Sequence, residues 1–375
     1  MGATATTRSA VEEVARRFAE RDAADPERYP EENVADLMEA GIIRGPFPEA
    51  LGGRGWTLSD SVAAIEAIAA ASPSTALIVS MPIGLAGVYG LGAGAAPVEH
   101  RPAWADQTER IAADYRARKL YAACNSEKGA GGSLAATTTV AKRGAEGRFQ
   151  ITGEKILASS GRFADVFFST AKVTQDDLPG AGIVEFFFID TSTPGVEITE
   201  DWDGFGMRAT ESQTVRYASA AAREVMGFPN FIETVQPLQY WYCLFSAIGL
   251  GCAGSILKTM ATPAPTSPAL RLRYTEALMR YEALRAYLLE TSAGWRASAG
   301  PAYAARALRT KTFVTQESTK LCAELFALGG GRHYRRSGAV ARTLADSFAG
   351  TALRPPLTLA LDTLVENFSL GDLGD

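Results

Sequence analysis

Side chains that do acid–base, nucleophilic or metal chemistry unaided are scarce in this chain. It has 375 residues but only two histidines, His100 and His333, and four cysteines, Cys124, Cys243, Cys252 and Cys322. The cysteines are far apart and form no CxxC pair, which speaks against both a metal site and a disulfide framework. Cys243 and Cys252 lie in an apolar, helix-like run, where a buried reduced thiol is the default. A zinc site or a Ser-His-Asp triad needs more than two histidines offer. An enzyme built from these residues has to borrow its chemistry from an organic cofactor.

The composition is that of an ordinary globular protein, with 47% hydrophobic and 21% charged residues. A net charge of −5 suggests neither a nucleic-acid partner nor an anionic membrane surface. The N-terminal stretch MGATATTRSAVEEVARRF has no apolar core of a secretory signal. Its Gly2 and Thr6 loosely fit a myristoylation pattern that small polar N-termini match by chance. Leu77 to Ala96 is the richest apolar run, but Pro82 and many glycines interrupt it, so no membrane span is expected. A cytoplasmic protein follows from these readings.

The elements that must position any site fall into three regions: helical 1–120, a β-domain 121–228 and a helical bundle 229–375. In the first, Ser9 is the expected cap of a helix over Val11–Arg21. A short helix runs from Pro30 to Ala40, and Leu58-Ser59-Asp60 opens a third after the Gly/Pro-rich loop 46–60. An apolar helix from Ser74 onward reads as buried core. In the second, TTTVAKR and RFQITGEK flank a GAEG turn as a β-hairpin, and strands are expected at 165–173, 182–190 and 214–219 in a mostly antiparallel domain. In the third, residues 231–260 read as one long apolar helix. TPAPTSP (262–268) breaks it, and two long helices follow over Ala269–Ala297 and Tyr303–Leu328. A GGG turn at 329–331 leads to a last pair of helices. The fold class is α+β.

Five segments, in order and spread over nearly the whole chain, resemble the acyl-CoA dehydrogenase family. They are the opening stretch with PEALGGRG, NSEKGAGGS (125–133), ITGEKILASSGRFAD (151–165), DWDGFGMRATESQTVRY (201–217) and LGGGRHYRRSGAVARTLAD (328–346). The resemblance implies a three-domain flavoprotein that binds FAD. It places Asn125 and Ser126 on the flavin ring, and Gly131 and Gly132 where the backbone approaches the cofactor closely. Ser159 and Ser160 stand at the strand end whose hydroxyl reaches the flavin, with Leu157 packing beside them. Gly330 and Gly331 match the turn that meets the adenine end, usually from a neighbouring subunit. The plainer reading of any one of these Gly and Ser residues is β-turn chemistry.

The departures carry the functional question. The family's catalytic glutamate would fall at Ala349 or, on a shortened alignment, near Pro355. In members that carry it on the first long C-terminal helix it would fall at Tyr240, with the substrate-binding arginine at Trp241. No carboxylate stands at any of these positions. A phenol, with a pKa of about 10, is a poor replacement base. Tyr240, Trp241 and Tyr242 read either as an aromatic pocket or as core, and Tyr240, Trp241 and Arg354 are assigned to the substrate pocket. The family's cofactor-binding Gln falls near Ala327, and TPAPTSP replaces the Arg-x-x-Phe that grips the FAD pyrophosphate across the dimer. FAD is therefore held weakly, or reduced flavin diffuses in as a substrate. Arg271, Arg273 and Arg332 are possible substitute phosphate contacts.

Three functions fit. The first is an FAD-dependent acyl-thioester oxidoreductase of specialised biosynthesis, acting on acyl-CoA or an acyl-carrier protein. The second is a flavin-dependent monooxygenase, although the histidine usual after the RD motif in such relatives is missing. The third is a non-catalytic binding protein. A homodimer or homotetramer is expected because the adenine end of the cofactor needs a second subunit.

Overall fold

A buried stripe explains where the chain first becomes helical. Thr7, Val11 and Ala15, spaced by four residues, are all buried. The stripe starts before Ser9, so helix α1 runs over Ala3–Val14 and Ser9 lies inside it rather than capping it. The computed structural model describes residues 3–144 and 146–367; Gly2, with its myristoylation pattern, and Ala145 of the GAEG turn lie outside them. A 3-10 turn joins α1 to α2 (Phe18–Ala24), followed by α3 (Glu31–Glu39). Helix α4 (Leu58–Ala71) starts in a reciprocal capping box, in which Thr57 Oγ1 accepts from Asp60 N and the Asp60 carboxylate accepts from Thr57 N. Helices α5 (Pro73–Gly92) and α6 (Arg101–Arg116) complete the N-terminal region.

The strands are β1 (Tyr121–Ala123), β2 (Val140–Arg143), β3 (Phe149–Ala158), β4 (Val166–Lys172), β5 (Val184–Asp190), β6 (Val196–Ile198), β7 (Gln213–Ala221) and β8 (Glu224–Val225). Among the described residues they form one sheet in the order β6-β7-β3-β2-β4-β5-β8, with β1 parallel to β4. The short strands β1, β6 and β8 were not expected. Two or three residues are too few to show alternation, and their partners hold them in place.

The expected single helix over 231–260 is two: α7 (Phe231–Val235) and α8 (Leu238–Ala261). Pro237 has no N–H to continue the helix and disfavours the α conformation at the residue before it. Gln236 accordingly adopts a left-handed φ of 54°. Then come α9 (Pro268–Ala293), α10 (Pro301–Leu328), α11 (Ala339–Ser347), α12 (Ala349–Ala352) and α13 (Leu357–Glu366).

Helices α4, α5 and α8 form the core of the two helical regions. Both α5 and α8 have the length and apolar content to cross a membrane, but 89% and 78% of their apolar windows are buried inside the protein. Glu66 of α4 is fully buried and holds the surrounding helices. It accepts from Arg8 Nη1 of α1 at 2.7 Å, Arg285 Nε of α9 at 3.0 Å, and the Tyr281 hydroxyl. Helices α5 and α8 approach through missing side chains. A Cβ on Gly84 would lie 2.2 Å from Trp241 Nε1, and one on Gly87 would lie 2.1 Å from Tyr240 Cζ. The two glycines sit one turn apart on one face and receive the two aromatic rings.

This predicts a reversal of the usual helix rule. Glycine to alanine inside a helix normally gains about 0.5–1 kcal/mol. Gly84→Ala and Gly87→Ala should instead cost about 1–3 kcal/mol from overpacking, read as a lower urea midpoint with unchanged slope.

Candidate functional site

The aromatic wall that Gly84 admits lines a cleft where all three regions meet. Its atom-free space is about 680 Å³, mouth included. Met81 of α5 contributes one wall. The sheet contributes Ala123, Asn125, Ser126, Leu157, Ser159, Phe168 and Phe186. Helix α8 contributes Leu238, Trp241, Tyr242 and Phe245, and the turn before α13 contributes Leu353 and Arg354. Trp241 and Phe168 pack against each other, tilted by 33° with ring centroids 5.8 Å apart. An apolar aromatic lining with a few polar groups is what a planar aromatic cofactor requires.

Backbone geometry puts the sheet's residues there. Lys155 and Ala158 of β3 bracket an irregularity in its pairing with β7, and Leu157 between them has a φ of 59°. A left-handed conformation is unfavourable for a branched side chain and marks a constrained site. Leu157 is left 52% exposed at the cleft. The Asn125-Ser126 segment is held from both sides. Ser126 O accepts from Ile156 N at 2.8 Å. Asn125 Oδ1 accepts from Thr170 N at 3.0 Å, and Asn125 O accepts from Arg354 Nη2 at 2.9 Å.

Beneath this segment lies an ion pair that the sequence analysis did not single out. Lys155 Nζ donates to Glu127 Oε1 at 2.6 Å and to Thr170 Oγ1 at 3.2 Å. Glu127 also accepts from Thr138 N and Oγ1, both at 2.6 Å, and from Thr139 N at 3.1 Å. Burial opposes the charge on Glu127, but Lys155 and the Thr138 hydrogen bonds hold its pKa down at about 2. Burial pulls the Lys155 pKa down while Glu127 works against it. The signal was present, since both residues stand inside the quoted segments as Ser-Glu and Gly-Glu-Lys.

Of the residues assigned from sequence, the cleft gathers Asn125, Ser126, Leu157, Ser159, Trp241 and Arg354. Ser159 Oγ is shared with Ser212 Oγ at 3.0 Å. Others stand elsewhere. Ser160 faces the N-terminal region, where its Oγ accepts from Tyr29 OH at 3.1 Å. A Cβ on Gly132 would meet Pro356 Cδ at 2.3 Å, while Gly131 opens onto free space. Tyr240 is buried outside the cleft, its hydroxyl 2.8 Å from Ser61 Oγ and its ring edge-on to Trp295. Gly330 and Gly331 follow the end of α10 in open surroundings, away from the cleft. Arg271, Arg273 and Arg332 do not line it either; Arg273 pairs with Glu276, and Arg332 donates to His333 Nε2.

The two alignments for the absent glutamate also separate. Ala349 opens α12, where neighbouring Gly350 packs on Thr315 of α10. The turn that reaches the cleft is Leu353–Arg354. Among the described residues, the cleft lining contains no Asp, Glu or His, and Arg354 is its one charged side chain. Burial pulls the Arg354 guanidinium pKa down, with Tyr242 and Glu127 acting in the other direction. Its Nε is buried without a partner. Burial pushes the Tyr242 phenol up to about 12 and the Tyr240 phenol higher still, so neither is a base.

The comparisons with known proteins agree with this architecture. The acyl-CoA dehydrogenase N-terminal domain matches residues 3–96 and the middle domain of the same family matches 122–220, together more than half of the chain. The chain belongs to the acyl-CoA dehydrogenase family. Its fold is that family's: an N-terminal helical domain, a middle β half-barrel and C-terminal helices. It is 24% identical over 336 residues to a probable acyl-CoA dehydrogenase, YngJ, of Bacillus subtilis, covering 85% of this chain and 84% of that one. It is 31% identical over 208 residues to L-evernosamine nitrososynthase of a Micromonospora species, covering 54% of this chain and 46% of that one. Among solved structures, KijD3 in complex with FMN and a dTDP-linked amino sugar superimposes with a TM-score of 0.84 at 20% identity, covering 98% and 94%. Butyryl-CoA dehydrogenase of Megasphaera elsdenii gives 0.81 at 17%, covering 96% and 97%. The family consists of flavin-dependent oxidoreductases, uses FAD, and includes nitrososynthase and monooxygenase relatives.

The cleft fits a flavin. The ring edge carries carbonyl and ring-nitrogen acceptors, and the Arg354 guanidinium, whose Nε is buried without a partner, is the charged donor group of the lining. Asn125, Ser126, Leu157 and Ser159 would hold the ring, with Trp241 and Phe168 forming one aromatic side of the cleft.

Glu127→Gln should leave Lys155 as a buried, uncompensated cation and cost about 3–5 kcal/mol. Replacing both residues with apolar ones of similar volume should cost much less, and a double-mutant cycle by urea denaturation measures the difference.

Proposed function

We propose that the chain is a flavin-dependent monooxygenase that uses reduced flavin and dioxygen to oxidise a polar substrate. The observation that carries this reading is the charge of the cleft. Where acyl-thioester desaturation needs a carboxylate to take the α-proton, the chain presents the Arg354 guanidinium. General-base catalysis is worth about 10²–10⁴-fold, and neither Tyr240 nor Tyr242 can supply it. A bound reduced flavin supplies two electrons to dioxygen, one oxygen atom going to the substrate and the other leaving as water.

The chain's own residues then have limited tasks. Phe168, Phe186, Trp241 and Phe245 exclude water from the cleft, and the Arg354 guanidinium would hold the ring by donating to it. Tyr242 and Leu238 also line a neighbouring cavity, about 1610 Å³ of atom-free space with its open mouth included, where Glu233, Gln236, Gln239 and Asn367 stand among Leu134, Ile232, Leu308 and Leu364. The polar part of that lining offers donors and acceptors to a hydroxylated or amine-bearing molecule. It accords with the nitrososynthase relative and with the amino sugar bound in KijD3.

A second reading is an FAD-dependent acyl-thioester oxidoreductase of specialised biosynthesis, on CoA or a carrier protein. The match to a probable acyl-CoA dehydrogenase over 85% of the chain favours it. Either reading includes a homodimer or homotetramer. Gly330 and Gly331 face open space away from their own cleft, which suits contact with the cofactor of a second subunit.

The purified protein, titrated with FMN and FAD, separates the readings. On the monooxygenase reading the visible flavin band survives anaerobic addition of acyl-CoA, and polar amines raise oxygen uptake with reduced flavin. Anaerobic bleaching by acyl-CoA would establish the second reading instead, and failure to bind either flavin at micromolar concentration would sink both. Arg354→Met should weaken FMN binding about 10- to 100-fold, the loss expected when a hydrogen bond from a charged donor worth about 1.5–3 kcal/mol is removed.

A further inference from the structure

Arg354 sits on a turn without regular secondary structure between α12 and α13. Something must keep a buried guanidinium at one depth, because its long side chain loses rotamer freedom when held. Lys311, in the third turn of α10, is 1% exposed. Its Nζ donates to Leu353 O at 2.9 Å and to Pro355 O at 2.7 Å, the carbonyls on either side of Arg354. No carboxylate pairs with this ammonium in the hydrogen bonds and ion pairs of the described residues. The same turn is tied at its far end by the bond from Arg354 Nη2 to Asn125 O.

We propose that Lys311 is the positioning residue of the cleft: by clamping the Leu353 and Pro355 carbonyls it fixes the turn that seats the Arg354 guanidinium at the cleft lining, with its Nε–H buried. A lysine is chosen over a neutral residue because two converging carbonyls, each with its own partial negative charge, are satisfied by one head group with three donors. An ammonium buried only to stabilise the fold would do better with a carboxylate, since an unpaired buried cation is costly. The cost is accepted where the group holds something else in place. This inference rests on the reading of Arg354 as the ring-facing donor, but its first test does not.

In protein labelled with ¹⁵N-arginine, Arg354 Nε–H gives a slowly exchanging resonance, assigned by its loss in Arg354→Lys. Lys311→Met should make its exchange at least tenfold faster, and Lys311→Arg should restore it. Where Lys311→Met fails to fold, Lys311→Gln, with an amide able to reach one carbonyl, gives the same reading at smaller size. In FMN titrations, Lys311→Met should weaken binding by the same factor as Arg354→Met, and the double variant should lose no more than either alone. Unchanged Nε–H exchange in a folded Lys311 variant overturns the proposal and leaves Lys311 a packing residue; so do losses that add in the double variant. Faster exchange with FMN binding untouched by both substitutions upholds the clamp and overturns the ring-facing role of Arg354.

Discussion

The arrangement of the cleft depends on one buried ion pair. Glu127 belongs to the loop after β1, and Lys155 to the middle of β3. Through Glu127 the loop is tied to Thr138 and Thr139 before β2, and through Lys155 it is tied to Thr170 on β4. Every oxygen of the carboxylate is occupied, which is the condition under which two buried charges compensate for the loss of water. This anchor sets the height of Asn125 and Ser126 above the sheet together with the bonds they make themselves, to Thr170 N, Ile156 N and Arg354. The pair explains why a short loop can present backbone and side-chain groups to one side as precisely as a strand.

A second constraint acts from the helical side. Trp241 forms the wall opposite the sheet only because Gly84 leaves room for its indole on α5, and Tyr240 occupies the next gap at Gly87. Consecutive aromatic residues on a helix point in directions about 100° apart. Trp241 therefore faces the cleft while Tyr240 turns toward Ser61 on α4. The same geometry that builds the wall excludes Tyr240 from it.

Much of this was legible in the residues. Five segments in order identified the fold, and six of the assigned side chains meet in one cleft. The periodic elements were readable because burial imposes their period: a helix opening at Leu58-Ser59-Asp60, the hairpin that contains β3, the apolar run of α5. Failures came where tertiary contacts decide. Tyr240 and Trp241 are neighbours in sequence with the same apparent role, and only the position of two glycines on another helix tells them apart. Ser159 and Ser160 differ in the same way, because a left-handed φ of 71° at Ser160 turns its hydroxyl toward Tyr29. Gly132 was read as making room for a cofactor, and the room is taken by Pro356. Lys311 was invisible, since a lysine on an amphipathic helix ordinarily faces water.

The absence of the glutamate is better understood as a change of sign. Two alignments left its position at Ala349 or near Pro355, and only the fold shows that the Leu353–Arg354 turn is what enters the cleft. The lining of the cleft then holds one charged side chain, the Arg354 guanidinium, while Lys155 beneath it is paired with Glu127 and Lys311 holds the turn from behind. Such a lining disfavours a step that gathers positive charge on the protein, as proton capture by a base does. It favours ligands and steps that build negative charge on the bound molecule, because fixed cations in a water-poor site lose little of their field to solvent. The fold belongs to the family; the charge that lines the cleft of this chain is a guanidinium and not a carboxylate, and the sign of a fixed charge in a water-poor site biases which charge can build up beside it.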